Sequence, residues 1–262
     1  MIFAGLFINT STIRSYEMSD SSDEESYEEN PWPLKAIWVF MSIGGLVFFW
    51  PSLIKPFGFF EFWTMKGDFW TAVKGAWPWY AWGFGVTFLV LCFGKVSFTR
   101  ETPGEKFVNG TLISIWAGVA EEISFRWLFF FSAIVMLPVF NWLLGGFMGL
   151  ELIRWLYQYI LCPVANFFTF GYLEPYLLNG YGWAVGAAVI SSNGRFRNGH
   201  AYQGPIGLVN SWFFGMYMHW VVFKYGILPA IFIHFLYDFI VFTMRAIGPS
   251  FTEVYVRPKR RW

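Results

Sequence analysis

Charge is what this chain has least of. Only 13% of its 262 residues are Asp, Glu, Lys or Arg, about half the share carried by a soluble globular domain. Net charge is +1, and no basic run is long enough to follow a phosphate backbone, so nucleic acid is not an expected partner. Cysteine occurs twice, at Cys92 and Cys162, both in apolar stretches without metal-pair spacing; they read as packing residues. Histidine occurs three times. There is no His-Glu-x-x-His sequence and no visible internal repeat.

Apolar surface is what it has in excess. Apolar residues make up 56% of the chain and aromatic ones 24%, with 33 Phe and 16 Trp. One soluble core cannot bury that much. Lipid is the natural solvent for it, with Trp and Tyr favoured at the membrane interfaces. The chain reads as a multi-pass integral membrane protein whose first partner is membrane lipid.

Residues 1–33 form an acidic, serine-rich arm (MSDSSDEESYEEN at 18–30) expected to be disordered. The opening MIFAGLFINTSTIR lacks a basic leading region and a hydrophobic core, so it does not read as a signal peptide, and Met18 is an alternative start. A membrane domain is expected over 34–249. A span needs about 20 mostly apolar residues, and the candidates are 34–54, 77–95, 107–137, 141–170, 176–192, 205–223 and 226–247. Glu151, Arg154, Pro163, Glu174, Pro175 and several glycines interrupt 141–192, which predicts broken or re-entrant helices there. The expected fold is an all-α transmembrane bundle of roughly seven or eight helices around a polar cavity, followed by a basic tail at 250–262. With the C-terminus inside, Lys55, Lys66, Lys74, Arg195, Arg197, Arg245 and the tail are cytoplasmic, against Lys95, Arg100, Lys106 and Lys224 outside. That predicts a cytoplasmic C-terminus.

Ionisable residues at membrane depth are costly and are functional candidates by default. Three groups qualify. In Ala120-Glu121-Glu122-Ile123-Ser124-Phe125-Arg126, Glu122 and Arg126 share a helix face and can pair. Glu121 points about 100° away and is available as a general base. The bland alternative is an interfacial ion pair. His219 lies in a second apolar helix, where a hydrogen-bonded bundle histidine is the ordinary reading. His234 and Asp238 are four apart in a third, so the carboxylate can fix the imidazole tautomer; a buried structural pair is the alternative. His200 falls in a polar stretch, 193–203, expected to be a solvated loop.

In order and spacing, these residues resemble the CAAX protease and bacteriocin-processing (Abi) family, intramembrane proteases that include the Ras-converting CAAX endopeptidases. The family pattern is Glu-Glu-x-x-x-Arg, Phe-x-x-x-His and His-x-x-x-Asn/Asp on separate membrane helices. Glu121, Glu122 and Arg126 match the first, with Phe125 before the arginine; His234 and Asp238 match the third, approached by Gly226-Ile227-Leu228-Pro229-Ala230-Ile231. Gly215 stands where the second motif has Phe, with Phe214 one residue earlier, and Trp127 replaces a small residue. The resemblance covers about 107–140 and 205–247, with 141–204 as an insertion. It implies a metal-independent glutamic protease without cofactor, acting on a peptide or protein substrate that is prenylated, bacteriocin-like or a membrane regulator. Glu121 would act as general base on a water that His219 binds and polarises. His234 and Asp238 would form the oxyanion side, and Glu122 with Arg126 would support. An ionised Asp238 cannot donate a hydrogen bond, so its expected task is to orient His234.

Three other readings stay open. Glu121, His219 and His234 supply a possible zinc set for a metalloprotease. A non-catalytic immunity or scaffold protein fits the same family. A proton-coupled transporter also uses intramembrane Glu, His and Asp.

Overall fold

The computed structural model describes residues 57–93, 97–99, 102–248 and 253–255. The acidic arm, the predicted span at 34–54 and nearly all of the basic tail lie outside the described residues. The described part is helical, apart from a short parallel pairing of β1 (Ser97–Thr99) with β2 (Glu253–Tyr255). It falls into two compact units, 57–58 with 128–215, and 59–127 with 216–255.

Four helices among the described residues are long and apolar enough to cross a membrane: Phe69–Phe93, Pro103–Leu143, Ala201–Tyr225 and Ile227–Ile247. They fall on the segments predicted at 77–95, 107–137, 205–223 and 226–247. The first comprises α1 (Phe69–Gly75) and α2 (Trp77–Phe93). Asp68 caps α1 through the Thr71 amide, 2.6 Å away. Hydrogen bonds from Thr71 hold the Asp68 carboxyl below its usual range. The second begins as α3 (Pro103–Glu121), with Thr102 and Glu105 forming a reciprocal capping box. It continues through a π-helical stretch, Glu122–Phe129, into α4 (Phe130–Leu143).

In the 59–127 and 216–255 unit, α3 packs on α9 (Ile227–Ile247). The packing inverts that of a soluble helix. Gly110, Ser114 and Gly118, spaced by four, are buried, while Leu112, Ile113, Ile115 and Trp116 are exposed. Small residues let two helix backbones approach closely within lipid, where burying large apolar side chains brings little gain. A Cβ at Gly118 would stand 2.9 Å from the Ile231 carbonyl oxygen, and one at Gly110 2.6 Å from Phe242 Cβ. On α2, Gly83 sits against Tyr237, and Phe84, Phe88 and Leu89 face outward.

In the other unit, α4 packs on α7 (Trp183–Gly199). The intervening chain is broken, as its prolines and charges predict. α5 (Leu152–Leu156) passes through a π turn, Tyr157–Leu161, into α6 (Cys162–Phe168), and a second π turn follows at Pro175–Asn179. Cys162 is buried and Cys92 exposed; both are free thiols. One expectation is corrected. The stretch 193–203 is not a solvated loop, because α7 runs on to Gly199. Asn193 is buried and donates to the Trp212 carbonyl, and Phe196 is buried beside it. His200 Nδ1–H donates to the Phe196 carbonyl, with its ring against the Phe196 ring.

Candidate active site

The row of small residues on α3 ends in charge. Gly110, Ser114 and Gly118 are followed at the same spacing by Glu122 and Arg126, and all five are buried. In a regular α-helix, residues four apart drift by about 40° per step. The π-helical stretch beginning at Glu122 packs more residues into each turn, which counters that drift and keeps Glu122 and Arg126 on the buried row. π turns inside α-helices are frequent at functional sites.

Glu122 is therefore carried inward beside α9. Its Oε1 accepts a 2.7 Å hydrogen bond from His234 Nδ1–H, and its Oε2 lies 3.4 Å from Arg126 Nε. Neither the Glu122 nor the Arg126 side chain has any exposed surface. The other imidazole nitrogen, His234 Nε2, lies 3.7 Å from Asp238 Oδ2 and 3.9 Å from Glu121 Oε2. Those separations are Coulombic contacts, longer than hydrogen bonds. The Glu121 and Asp238 side chains are 26% and 23% exposed. The cluster thus has a sealed side, Glu122 and Arg126, and an accessible side, Glu121 and Asp238, with the His234 ring between them.

His219 lies in the same unit, on α8 (Gly204–Tyr225), and is buried. Its ring lies beside that of Phe223, one turn further along, with ring centroids 6.2 Å apart. Of the residues singled out in the sequence, Glu121, Glu122 and Asp238 converge on the His234 imidazole, and Arg126 meets Glu122. His234 donates its orienting hydrogen bond to Glu122 rather than to Asp238, because Glu122 is buried on the seam between α3 and α9. Phe62 and Phe223 carry no motif signal and become visible only through the packing beside His219. Among the described residues, no group of three or more His, Cys, Asp or Glu side chains is arranged to hold a metal ion.

A neutral histidine donating from Nδ1 presents a lone pair at Nε2; an imidazolium presents a second N–H. Either way the Glu122 bond fixes which edge of the ring faces Glu121 and Asp238. The arrangement can therefore pair a proton acceptor, Glu121, with a fixed imidazole at the open side of an otherwise sealed ionic cluster. Those are the parts needed for general-base attack on a carbonyl.

The sequence profile of the Type II CAAX prenyl endopeptidase Rce1-like family matches residues 103–240. The chain belongs to that family. The match takes in Glu121, Glu122, Arg126, His219, His234 and Asp238. No curated protein and no solved structure matches the chain. Family membership and the four apolar helices make this Rce1-like chain an integral membrane protein.

Proposed function

We propose that this protein is a CAAX-type intramembrane endopeptidase that hydrolyses a peptide bond at or within the bilayer with a water activated by Glu121 and His219. The observation that carries the reading is the two-sided cluster around His234 within the matched part of the chain. A partly exposed carboxylate in an apolar helix has to face protein or a water-lined cavity. In this reading, Glu121 and Asp238 line such a cavity, enclosed by a bundle of membrane helices.

Glu121 takes a proton from the water as it attacks the scissile carbonyl. His219 holds and polarises that water. His234, as an imidazolium, keeps Nδ1–H on Glu122 and donates Nε2–H to the oxyanion. Asp238 balances the charge on that ring from the accessible side. Glu122 and Arg126 are the sealed support: Glu122 orients His234, and Arg126 neutralises Glu122. No step calls for a metal.

The substrate class proposed is a membrane-tethered peptide, with a prenylated CAAX terminus first among the candidates because of the family. The acidic arm and the basic tail are proposed to flank the membrane domain without taking part in chemistry, the tail on the cytoplasmic side. The test is cleavage by the full-length protein in liposomes of matched farnesylated and unprenylated CAAX peptides, with and without exhaustive chelation. Hydrolysis of the farnesylated peptide that survives chelation is the expected result. Activity lost on chelation and restored by zinc would establish the metalloprotease instead. No hydrolysis of either peptide, together with full biological function of Glu121→Gln in the native host, would establish a non-catalytic family member.

A further inference from the structure

In the family pattern a phenylalanine stands one turn before the second-motif histidine, and Gly215 takes that place here. The structure supplies an aromatic ring from the other direction. Phe223 lies one turn after His219, on the same helix face. The two ring centroids are 6.2 Å apart, tilted at 50°. Phe223 is itself held edge-on by Phe62, with centroids 5.6 Å apart and planes at 71°. Both phenylalanines are buried, Phe62 completely.

Phe62 belongs to a short segment, 59–66, that precedes every motif helix. A single 3-10 turn, Glu61–Trp63, forms its centre. The segment is clamped at two points. Trp127, the residue after Arg126, donates from Nε1 to the Phe59 carbonyl at 2.6 Å. At the other end, the Lys66 amide donates to the Tyr225 carbonyl at 3.2 Å. There the turn into α9 passes through Gly226, with φ +101°. The Thr64 carbonyl oxygen would lie 2.7 Å from a Cβ at Gly226, so a side chain is excluded by space as well as by conformation. Inside the segment, Thr64 Oγ1 donates to the Glu61 carbonyl and Lys66 Nζ to the Glu61 carboxylate, each at 2.6 Å. The same strap thus touches the chain just after Arg126 and just before His234, and presses Phe62 onto the ring behind His219.

We infer that the strap 59–66 is a positioning element of the site, setting the orientation of His219 through the stack Phe62–Phe223–His219. The inference rests on the proposed protease reading for its effect on catalysis, but not for its effect on the His219 ring. An imidazole that must hold a water tolerates little displacement: misplacement by about 1 Å costs up to roughly a hundredfold in rate. Truncating Phe223 removes a ring that borders the imidazole and leaves a cavity into which it can turn. Trp127, which departs from the small residue of the family pattern, finds its use as the anchor of the strap.

The test uses the full-length protein in detergent micelles with isotope-labelled histidine. The three imidazole signals are assigned with His200→Gln and His234→Gln, and cleavage of the farnesylated peptide is followed in parallel. Phe223→Ala is expected to shift the His219 signal, through loss of the neighbouring ring current and reorientation. It should lower kcat about tenfold while KM changes less than about twofold. Phe62→Ala should do the same to a smaller extent. Phe223→Tyr, which keeps the ring, should restore both readouts, and Phe223→Leu serves if the alanine variant does not fold. Phe88→Ala, an exposed truncation on α2, is the control for loss of an aromatic ring elsewhere. An unchanged His219 signal in Phe223→Ala or Phe223→Leu would overturn the inference, as would a lowered unfolding temperature with wild-type kcat per folded molecule. If the wild-type protein cleaves nothing, the protease reading fails, while the His219 ring 15N shifts, which report tautomer and hydrogen bonding rather than ring current, still decide the positioning role.

Discussion

Among the described residues, two helices pass through a π turn, and they use it differently. In Pro103–Leu143 the wide stretch Glu122–Phe129 buries a carboxylate and a guanidinium completely. In the run from Leu152 to Phe168 the π turn Tyr157–Leu161 carries no charge. Its neighbouring ion pair, Glu151 with Arg154 at 2.7 Å, is roughly half exposed. Tyr157 there finds only a hydroxyl, Ser191, at 2.7 Å. A π turn alone therefore does not mark a site. The mark is the buried charge that the wide turn keeps on the packed face, and the histidine that this charge orients.

That contrast can be broken by stability measurements on the purified protein. Arg126→Met leaves Glu122 buried without its cation and should cost about 3–5 kcal/mol, read from thermal unfolding in detergent. Glu151→Ala should cost at most about 1 kcal/mol. Equal losses would erase the distinction between the two turns. The seam that carries Glu122 inward should be nearly as sensitive. Gly118→Ala places a methyl 2.9 Å from the Ile231 carbonyl oxygen and should cost about 1–3 kcal/mol through overpacking. Gly85→Ala, with open space around its Cβ position, should be neutral or stabilising by up to about 1 kcal/mol. In the other unit, Tyr157→Phe should cost about 1 kcal/mol for the lost hydrogen bond and leave peptide hydrolysis unchanged. A strong loss of hydrolysis in Tyr157→Phe would mean that the uncharged turn also serves the site.

Much of this was legible in the sequence, because membrane depth makes every charge informative. The four spans followed from apolar length. The polar residues within them followed from spacing and from a family resemblance, and the profile match bears out the family. The break in 141–192 was legible from its prolines, glycines and charges. Other features left weaker traces. The row Gly110, Ser114, Gly118 was readable as small residues at intervals of four, and its continuation into Glu122 and Arg126 shows which glutamate goes inward. The π turn has no signature in EISFRWLF, since wide and regular turns are built from the same residue types. Asp238 was expected to orient His234 because it is close in sequence; Glu122 does so because helix packing, not sequence distance, sets the shortest contact. His200 looked solvated by composition, yet it closes the end of a helix. The support of His219 by Phe223 and Phe62 joins residues far apart in the chain, and no local pattern announces it.

The most direct check is the hydrolysis rate of a farnesylated CAAX peptide by the full-length protein in liposomes, compared with Glu121→Gln and His219→Ala at matched insertion and unfolding temperature. The mechanism proposed here predicts cleavage by the wild-type protein and none detectable from either variant. Wild-type rates from both variants would contradict it.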